Sequence, residues 1–285
     1  MRYLKPYRSR FPHTVRQGEL TLHLDNQAAA DILPPIAALI GERGTRPMRR
    51  SVAGCLAGPR SRLFVKTVEI DSLPCRLRVT LGMQRRDVGY DWPVAELINT
   101  LKAAQLGAPV AGVRGFGYRR RGRRLVRELF LVSEMLDDHV NGLHWLEQPG
   151  TCVESFLKDA FGLLLQLHGM GIHHLDLWAA NIMLDPAQPH DLRVVDLENC
   201  FIGDTAYGPE ALGFQFGFFY FRFIKQFIDE ARYDQLVAEA LAAQSDIDAQ
   251  RFQAAYSLYK HQTISRKKRR ALVIHGRLSI KTLQP

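Results

Sequence analysis

The residues best suited to chemistry are Asp176, Asn181 and Asp196. The first two lie in Gly171-Ile172-His173-His174-Leu175-Asp176-Leu177-Trp178-Ala179-Ala180-Asn181-Ile182-Met183-Leu184, which reads His-x-Asp-Leu-x-x-x-Asn and runs into an apolar strand. Asp176 is a candidate base or hydroxyl-orienting group. Asn181 follows five residues on, so a tight loop can return its amide oxygen to a metal ion. Asp196 comes 12 residues after Leu184, at the end of the apolar run Leu192-Arg193-Val194-Val195. It supplies a second oxygen ligand. Magnesium prefers such oxygens, completed by phosphate oxygens and water. The chemistry indicated is movement of a phosphoryl group onto a hydroxyl, which asks a protein mainly for positioning and charge stabilisation. An isolated Asp-x4-Asn is common by chance. Here Leu167-His168, Gly171, His174 and the following strand frame it.

Two further residues complete the set. Lys66 ends Phe64-Val65-Lys66, within a β run over 63–70, and is placed to meet the α and β phosphates of a nucleotide. Glu96 lies 30 residues on, early in a helix predicted over 93–104 by its apolar spacing and by Pro93 at its start. A carboxylate there pins the ammonium, which would otherwise swing away from the phosphates. A lone strand lysine is most often surface, and an acidic residue early in a helix often serves the helix dipole. Their order, on a strand and then a helix, gives them a joint role. His174 reads as structural, bonding backbone near Asp196, and His173 as its packed neighbour.

The elements that must hold these residues fall into three stretches. Residues 1–43 read as an N-terminal extension: a strand at Glu19–Leu24, a short helix over 26–32 capped by Asp25, an interruption at Pro34-Pro35, and a loop from Gly41 to Gly44. Residues 44–137 read mostly as strands around the helix over 93–104. A hairpin has arms at 110–118 and 125–134, with Arg121-Gly122 at its turn. Residues 138–285 read as mostly helical, with helices over 154–168, 214–241 and 249–262. The expected class is α+β, a β-rich lobe with one key helix followed by a mostly helical lobe, and a nucleotide cleft between lobes would explain the order.

Composition agrees with a globular chain. Of 285 residues, 46% are hydrophobic and 24% charged, enough for a full core. No apolar run suits a transmembrane helix, and the basic start Met1–Arg8 lacks the apolar stretch of a signal peptide. Cys55, Cys75, Cys152 and Cys200 show no paired spacing, so neither a zinc site nor a disulfide framework is suggested. The net charge of +9 favours a polyanionic partner. It gathers at Arg119, Arg120, Arg121, Arg123, Arg124 and Arg127, and in a tail at Arg266, Lys267, Lys268, Arg269 and Arg270. Stacking aromatics do not interleave with these arginines, so nucleic acid is disfavoured. The aromatic run Phe214–Phe223 is expected as a core helix, with a membrane-interface role for part of it as the alternative.

These motifs resemble the protein-kinase-like superfamily, and within it the bacterial lipopolysaccharide core heptose kinases. The similarity covers about residues 60–205: Phe64-Val65-Lys66, Glu96, a Ser133-Glu134-Met135-Leu136 hinge, Leu167-His168-x-x-Gly171, His174-x-Asp176-x4-Asn181 and Asp196. It implies a bilobal protein-kinase-like fold with boundaries near 44 and 138. It implies ATP and Mg2+ as cofactors: Asp176 as catalytic residue, Lys66, Glu96, Glu134 and Leu136 at the nucleotide, and Asn181 and Asp196 on the metal. It further implies a cytoplasmic enzyme, peripheral to the inner membrane, that phosphorylates a heptose of the lipopolysaccharide core, with an anionic membrane surface as a second partner. A kinase for another small molecule, an atypical protein kinase and a non-catalytic nucleotide-binding regulator are the alternatives.

The departures from the protein-kinase pattern are informative. Leu175 replaces the arginine that answers an activation-loop phosphate, and Leu197-Glu198 replaces Phe-Gly after the metal aspartate. Both fit small-molecule and glycan kinases better than protein kinases. Tyr207-Gly208-Pro209-Glu210 resembles Ala-Pro-Glu but follows Glu198 by only 12 residues and reads as a chance match. Ser51–Gly58 is the one candidate for a loop over the phosphates, and it is not Gly-x-Gly-x-x-Gly.

Overall fold

The computed structural model describes residues 7, 9–26, 31–44, 51–57, 62–85, 89–122 and 124–278. Part of the helix expected over 26–32, Gly58 of the candidate phosphate loop, Arg123 and residues 279–285 of the basic tail lie outside them. The chain divides into two compact units, Met1–Leu101 with Ala111–Asp137, and Lys102–Val110 with Asp138–Pro285. The first is built on an antiparallel sheet and the second is mostly helical, the α+β arrangement expected from the sequence.

The first unit runs β1 (His13–Gln17), β2 (Leu20–Leu24), α1 (Leu33–Gly44), β3 (Ser51–Ala57), β4 (Arg62–Glu69), α2 (Leu73–Leu81), α3 (Trp92–Gln105), β5 (Val113–Arg119) and β6 (Glu128–Glu134). Its six strands are ordered β1-β2-β5-β6-β4-β3, with antiparallel pairing throughout. Side chains alternate across a strand, and here both faces are covered. Leu63, Val65, Phe130 and Val132 meet Ile36 and Leu39 of α1 on one face. Phe116 and Leu129 meet Val94, Leu97, Ile98 and Leu101 of α3 on the other. Gly117 is needed where the strands crowd, because a Cβ there would lie 2.0 Å from the Phe130 ring.

Three local expectations need correction. Pro34 and Pro35 do not interrupt a helix; they sit in the first turn of α1, where the missing N–H costs nothing. Gly41 to Gly44 continue that helix rather than forming a loop. Residues 73–81 form a helix, although Leu77, Val79 and Leu81 alternate as a strand would. Ser72 caps it by accepting the Cys75 N–H, and Gly82 ends it at φ 73°. Leu73, Leu77 and Leu81 form an exposed stripe along its outer side.

The second unit runs β7 (Val140–Asn141), α4 (Gly142–Leu146), α5 (Val153–Gly169), β8 (Ile172–His174), β9 (Ile182–Asp185), β10 (Gln188–Val194), β11 (Cys200–Ile202), α6 (Gly208–Phe221), α7 (Glu230–Leu241), α8 (Ala249–Tyr259) and α9 (Arg266–His275). Short 3-10 turns lie at Ala179–Asn181, Leu197–Asn199 and Ile224–Gln226. The aromatic segment is core: Phe214, Phe216, Phe218 and Phe219 of α6 are all buried, against α5, α7, α8 and α9. A membrane-interface role for it is therefore excluded for those four rings. The helix expected over 214–241 is broken. Phe223 adopts φ 92°, and Asp229 starts α7 anew by accepting the Arg232 N–H. Glu210, in the segment read as a chance match, forms a two-pronged pair with Arg251 of α8 at 2.8 Å.

Gly213 and Gly217 are one helical turn apart on α6 and let α8 approach closely. A Cβ on Gly213 would lie 2.3 Å from the Phe252 carbonyl oxygen, and one on Gly217 2.7 Å from that of Tyr256. Backbone cannot yield as a side-chain tip can. Gly217→Ala is therefore expected to destabilise the protein by about 2 kcal/mol despite alanine's better helix propensity. Urea unfolding measures this, and a neutral or stabilising outcome contradicts the close approach.

Candidate functional site

In the first unit the sheet and α3 bring Lys66 and Glu96 together. Lys66 stands on the face of β4 that α3 covers, and Glu96 is one turn into α3. The lysine Nζ lies 3.0 Å from Glu96 Oε1 and 2.8 Å from Oε2. Their side chains are only 19% and 9% exposed, so the pair is shielded from the screening that weakens surface ion pairs. They line a cleft with Val68, Val94, Phe116 and Leu131. Glu134 ends β6 and turns its carboxylate inward, accepting from the Gly112 N–H at 2.8 Å and from Arg114 at 3.2 Å. Leu136 follows the strand, half-buried. The phosphate loop sought at 51–58 is instead a strand over 51–57, paired along its length with β4.

In the second unit two strand pairs do the positioning. β8 pairs with β11, opposing His174 and Cys200, and β9 pairs with β10, opposing Ile182 and Val194. The connection 175–181 leaves β8 and enters β9, and the connection 195–199 leaves β10 and enters β11. The two connections are thereby held side by side. Cross-links fix their register: Val195 N–H donates to the Asn181 carbonyl at 3.0 Å, and Leu175 N–H to that of Asn199 at 3.1 Å.

His174 joins both connections. It is 1% exposed. The Asp176 N–H donates to its Nδ1 at 3.3 Å, so that nitrogen carries no proton, and Nε2–H donates to the Val195 carbonyl at 3.2 Å. Burial holds the imidazole neutral by pushing its pKa down, which the hydrogen bond to Val195 only partly offsets. One ring thus sets the backbone of Asp176 and of the residue before Asp196, as the sequence suggested. His173 is also buried, and packs edge-on against His168 with ring centroids 5.5 Å apart.

Asn181 donates Nδ2–H to the Asp176 carbonyl at 3.0 Å, which orients its amide and leaves Oδ1 to act as an acceptor. Asp196 sits at φ 61°, ψ 53°, a left-handed conformation that aspartate tolerates better than most residues. These are oxygen donors of the kind a magnesium ion takes, presented on backbone that hydrogen bonds hold in place.

Three residues were missed from the sequence: Arg269, Arg266 and Glu198. Arg269 was counted in a basic tail, yet it is 7% exposed. It donates to Asp176 Oδ1 at 2.6 Å, to the Leu175 carbonyl at 3.0 Å and to the Ile264 carbonyl at 2.9 Å, and its guanidinium lies 4.3 Å from the Phe218 ring centre. Arg266, one turn earlier on α9, donates to Asp176 Oδ2 at 3.3 Å and also contacts Glu198. The tail expected to meet anionic lipid or a phosphorylated sugar core therefore forms, over 266–275, a helix that turns two arginines onto the Asp176 carboxylate. The clue was spacing: Arg266, Arg269 and then Leu272-Val273 recur at helical intervals. Leu175, where an arginine was expected by analogy, is buried with Phe214, Tyr259 and Leu272.

No family model and no curated protein matches the sequence. Among solved structures, one titled "WaaP in complex with acyl carrier protein" is similar at 17% identity and a TM-score of 0.47, over 75% of this chain and 87% of that one.

Two predictions test the site's electrostatics. Removing Arg269 leaves the Asp176 carboxylate with only the longer contact to the exposed Arg266. Arg269→Ala should cost about 2–3 kcal/mol in denaturant unfolding, near the low end for a broken buried pair because Asp176 keeps 18% side-chain exposure. Burial also pushes His173 down to about 4, well below its unfolded value of 6.5. Between those values the unfolded chain binds the extra proton, so stability rises with pH across pH 4–6.5 and is lost as pH falls. His173→Gln should flatten that slope in thermal melts. An unchanged slope shows that other groups set it.

Proposed function

We propose that the chain is an ATP- and Mg2+-dependent phosphotransferase that acts on an alcohol group. The observation that carries this is the paired connections 175–181 and 195–199. They present a carboxylate flanked by two oxygen donors, all set by one neutral histidine. Asp176 would orient and deprotonate the acceptor hydroxyl. Arg269 holds that carboxylate in place. Asn181 and Asp196 would hold Mg2+, which when bound neutralises phosphate charge. Lys66, steadied by Glu96, would meet the α and β phosphates, and Glu134 and Leu136 would border the nucleotide. The presence of Lys66, Asp176, Asn181 and Asp196 together favours catalysis over a purely regulatory nucleotide site.

The acceptor proposed is a sugar of the lipopolysaccharide inner core, with heptose foremost, and the enzyme works at the cytoplasmic face of the inner membrane. The motif resemblance supports this, as do the net charge of +9 and the burial of Leu175 where a phosphate-answering arginine would stand in a protein kinase. No helix among the described residues is long and apolar enough to cross a membrane. Peripheral contact is proposed through the exposed Leu73, Leu77 and Leu81 stripe of α2, in place of the buried aromatic helix.

Asp176→Asn keeps an oxygen for Arg269 and removes the base. It should lower phosphate transfer from radiolabelled ATP to lipopolysaccharide core by about 10²–10⁴-fold. Transfer equal to wild type removes Asp176 from the mechanism. Asp196→Ala should weaken nucleotide binding only in the presence of magnesium, as calorimetry with and without the ion would show.

A further inference from the structure

Trp178 stands two residues after Asp176. Its ring stacks on Phe223 with centroids 5.4 Å apart and planes 26° apart, and the Arg222 guanidinium lies 4.9 Å from the same indole. Phe223 is unusual twice over. It adopts φ 92°, a conformation that costs a residue with a side chain on the order of 1–3 kcal/mol. It is also 37% exposed, directly after a helix whose other phenylalanines up to Phe219 are buried. The strained backbone thus holds an aromatic ring at the surface, where core packing does not need it.

The charge that lies on this stack is positive. Arg222 is exposed, and no carboxylate among the described residues lies within ion-pair distance of it. Its charge and that of Arg266 are both close enough to oppose the charge of Arg269. Arg266 is 59% exposed while bridging Asp176 and Glu198. Arg266 and Arg269 hold the carboxylate that would receive the acceptor hydroxyl, and Arg222 lies over the Trp178 ring with no carboxylate of the described residues at ion-pair distance. A neutral acceptor leaves that guanidinium unanswered. An anionic one is drawn to it and held. The apolar C–H face of a sugar ring suits a flat aromatic surface, and a phosphate or carboxylate suits the fork of Arg222.

We propose that Trp178, Phe223, Arg222 and Arg266 form the acceptor platform: a sugar ring carrying a phosphate or carboxylate lies on the aromatic stack, with its anionic group on the arginines and a hydroxyl at Asp176. The platform rests on the phosphotransferase reading and names its substrate class.

Phe223→Gly is the informative variant, because glycine accepts φ 92° without strain and removes only the ring. Denaturant unfolding should show stability equal to wild type or higher. The full chain is titrated by calorimetry with glucose 6-phosphate, glucose and inorganic phosphate. Glucose 6-phosphate should bind at least 10-fold more tightly than either of the others, and Phe223→Gly and Arg222→Ala should each weaken it by at least 10-fold while Mg2+–ATP binding is retained. Equal binding of inorganic phosphate, or variants that bind like wild type, overturns the platform. Loss of Mg2+–ATP binding in the wild type, with sugar phosphate still bound through Phe223 and Arg222, overturns the phosphotransferase reading alone. Lipopolysaccharide is compared intact and stripped of lipid. Similar affinity for both marks the sugar as what is read, and binding of the intact form alone, unchanged in the variants, overturns the proposal.

Discussion

Burial of His174 constrains everything around it. An imidazole with no water to turn to must stay neutral and must satisfy both nitrogens locally. It does so by accepting the Asp176 N–H and donating to the Val195 carbonyl, on two segments of chain that meet nowhere in sequence. The backbone at Asp176 and beside the left-handed Asp196 is tied to that one requirement, reinforced by the backbone bonds of Leu175 and Val195. Strand pairing alone would bring the connections near each other. The histidine decides how near, and which backbone groups remain to be used.

The rest of the helical unit serves the same loop from behind. α6 is buried all round because α5, α7, α8 and α9 cover it, and its glycines let α8 come within backbone contact. α9 packs Leu272 and Val273 on that core. Arg269 must then be buried beside Phe218, and a buried guanidinium demands an anion. Asp176 is that anion. The core packing of α9 and the placement of the Asp176 carboxylate are therefore one problem with one solution. The ion pair is less a contribution to stability than a means of fixing where the carboxylate points.

In the sheet unit the constraint is two-sided burial. β4 has α1 on one face and α3 on the other, so it is largely apolar on both sides over 63–68 and Lys66 is the charge among those residues. An ammonium in that setting needs a carboxylate, and Glu96 provides it at 2.8 Å. Glu134, more exposed, ties its carboxylate to the Gly112 N–H and to Arg114.

The sequence by itself determined the elements with strong local signals and the residues whose chemistry is tied to spacing. The strand around Lys66, the helix carrying Glu96, the hairpin after it and the loop from His174 to Asn181 were legible because periodicity and motif are short-range properties. Reading the stretch before residue 137 as mostly strands around one helix passed over the helix at 73–81, where exposed leucines imitate strand alternation and only the caps betray a helix. Pro34-Pro35 was misjudged, since proline's effect depends on whether a helix starts or continues there. Arg269 shows the limit most plainly. In a run of five basic residues nothing local separates a solvated arginine from a buried one. Ninety-three residues of chain separate it from Asp176. Only the packing of α9 on α6 could decide that one of those charges is removed from water and given the Asp176 carboxylate as its partner, because burial is a property of the whole fold.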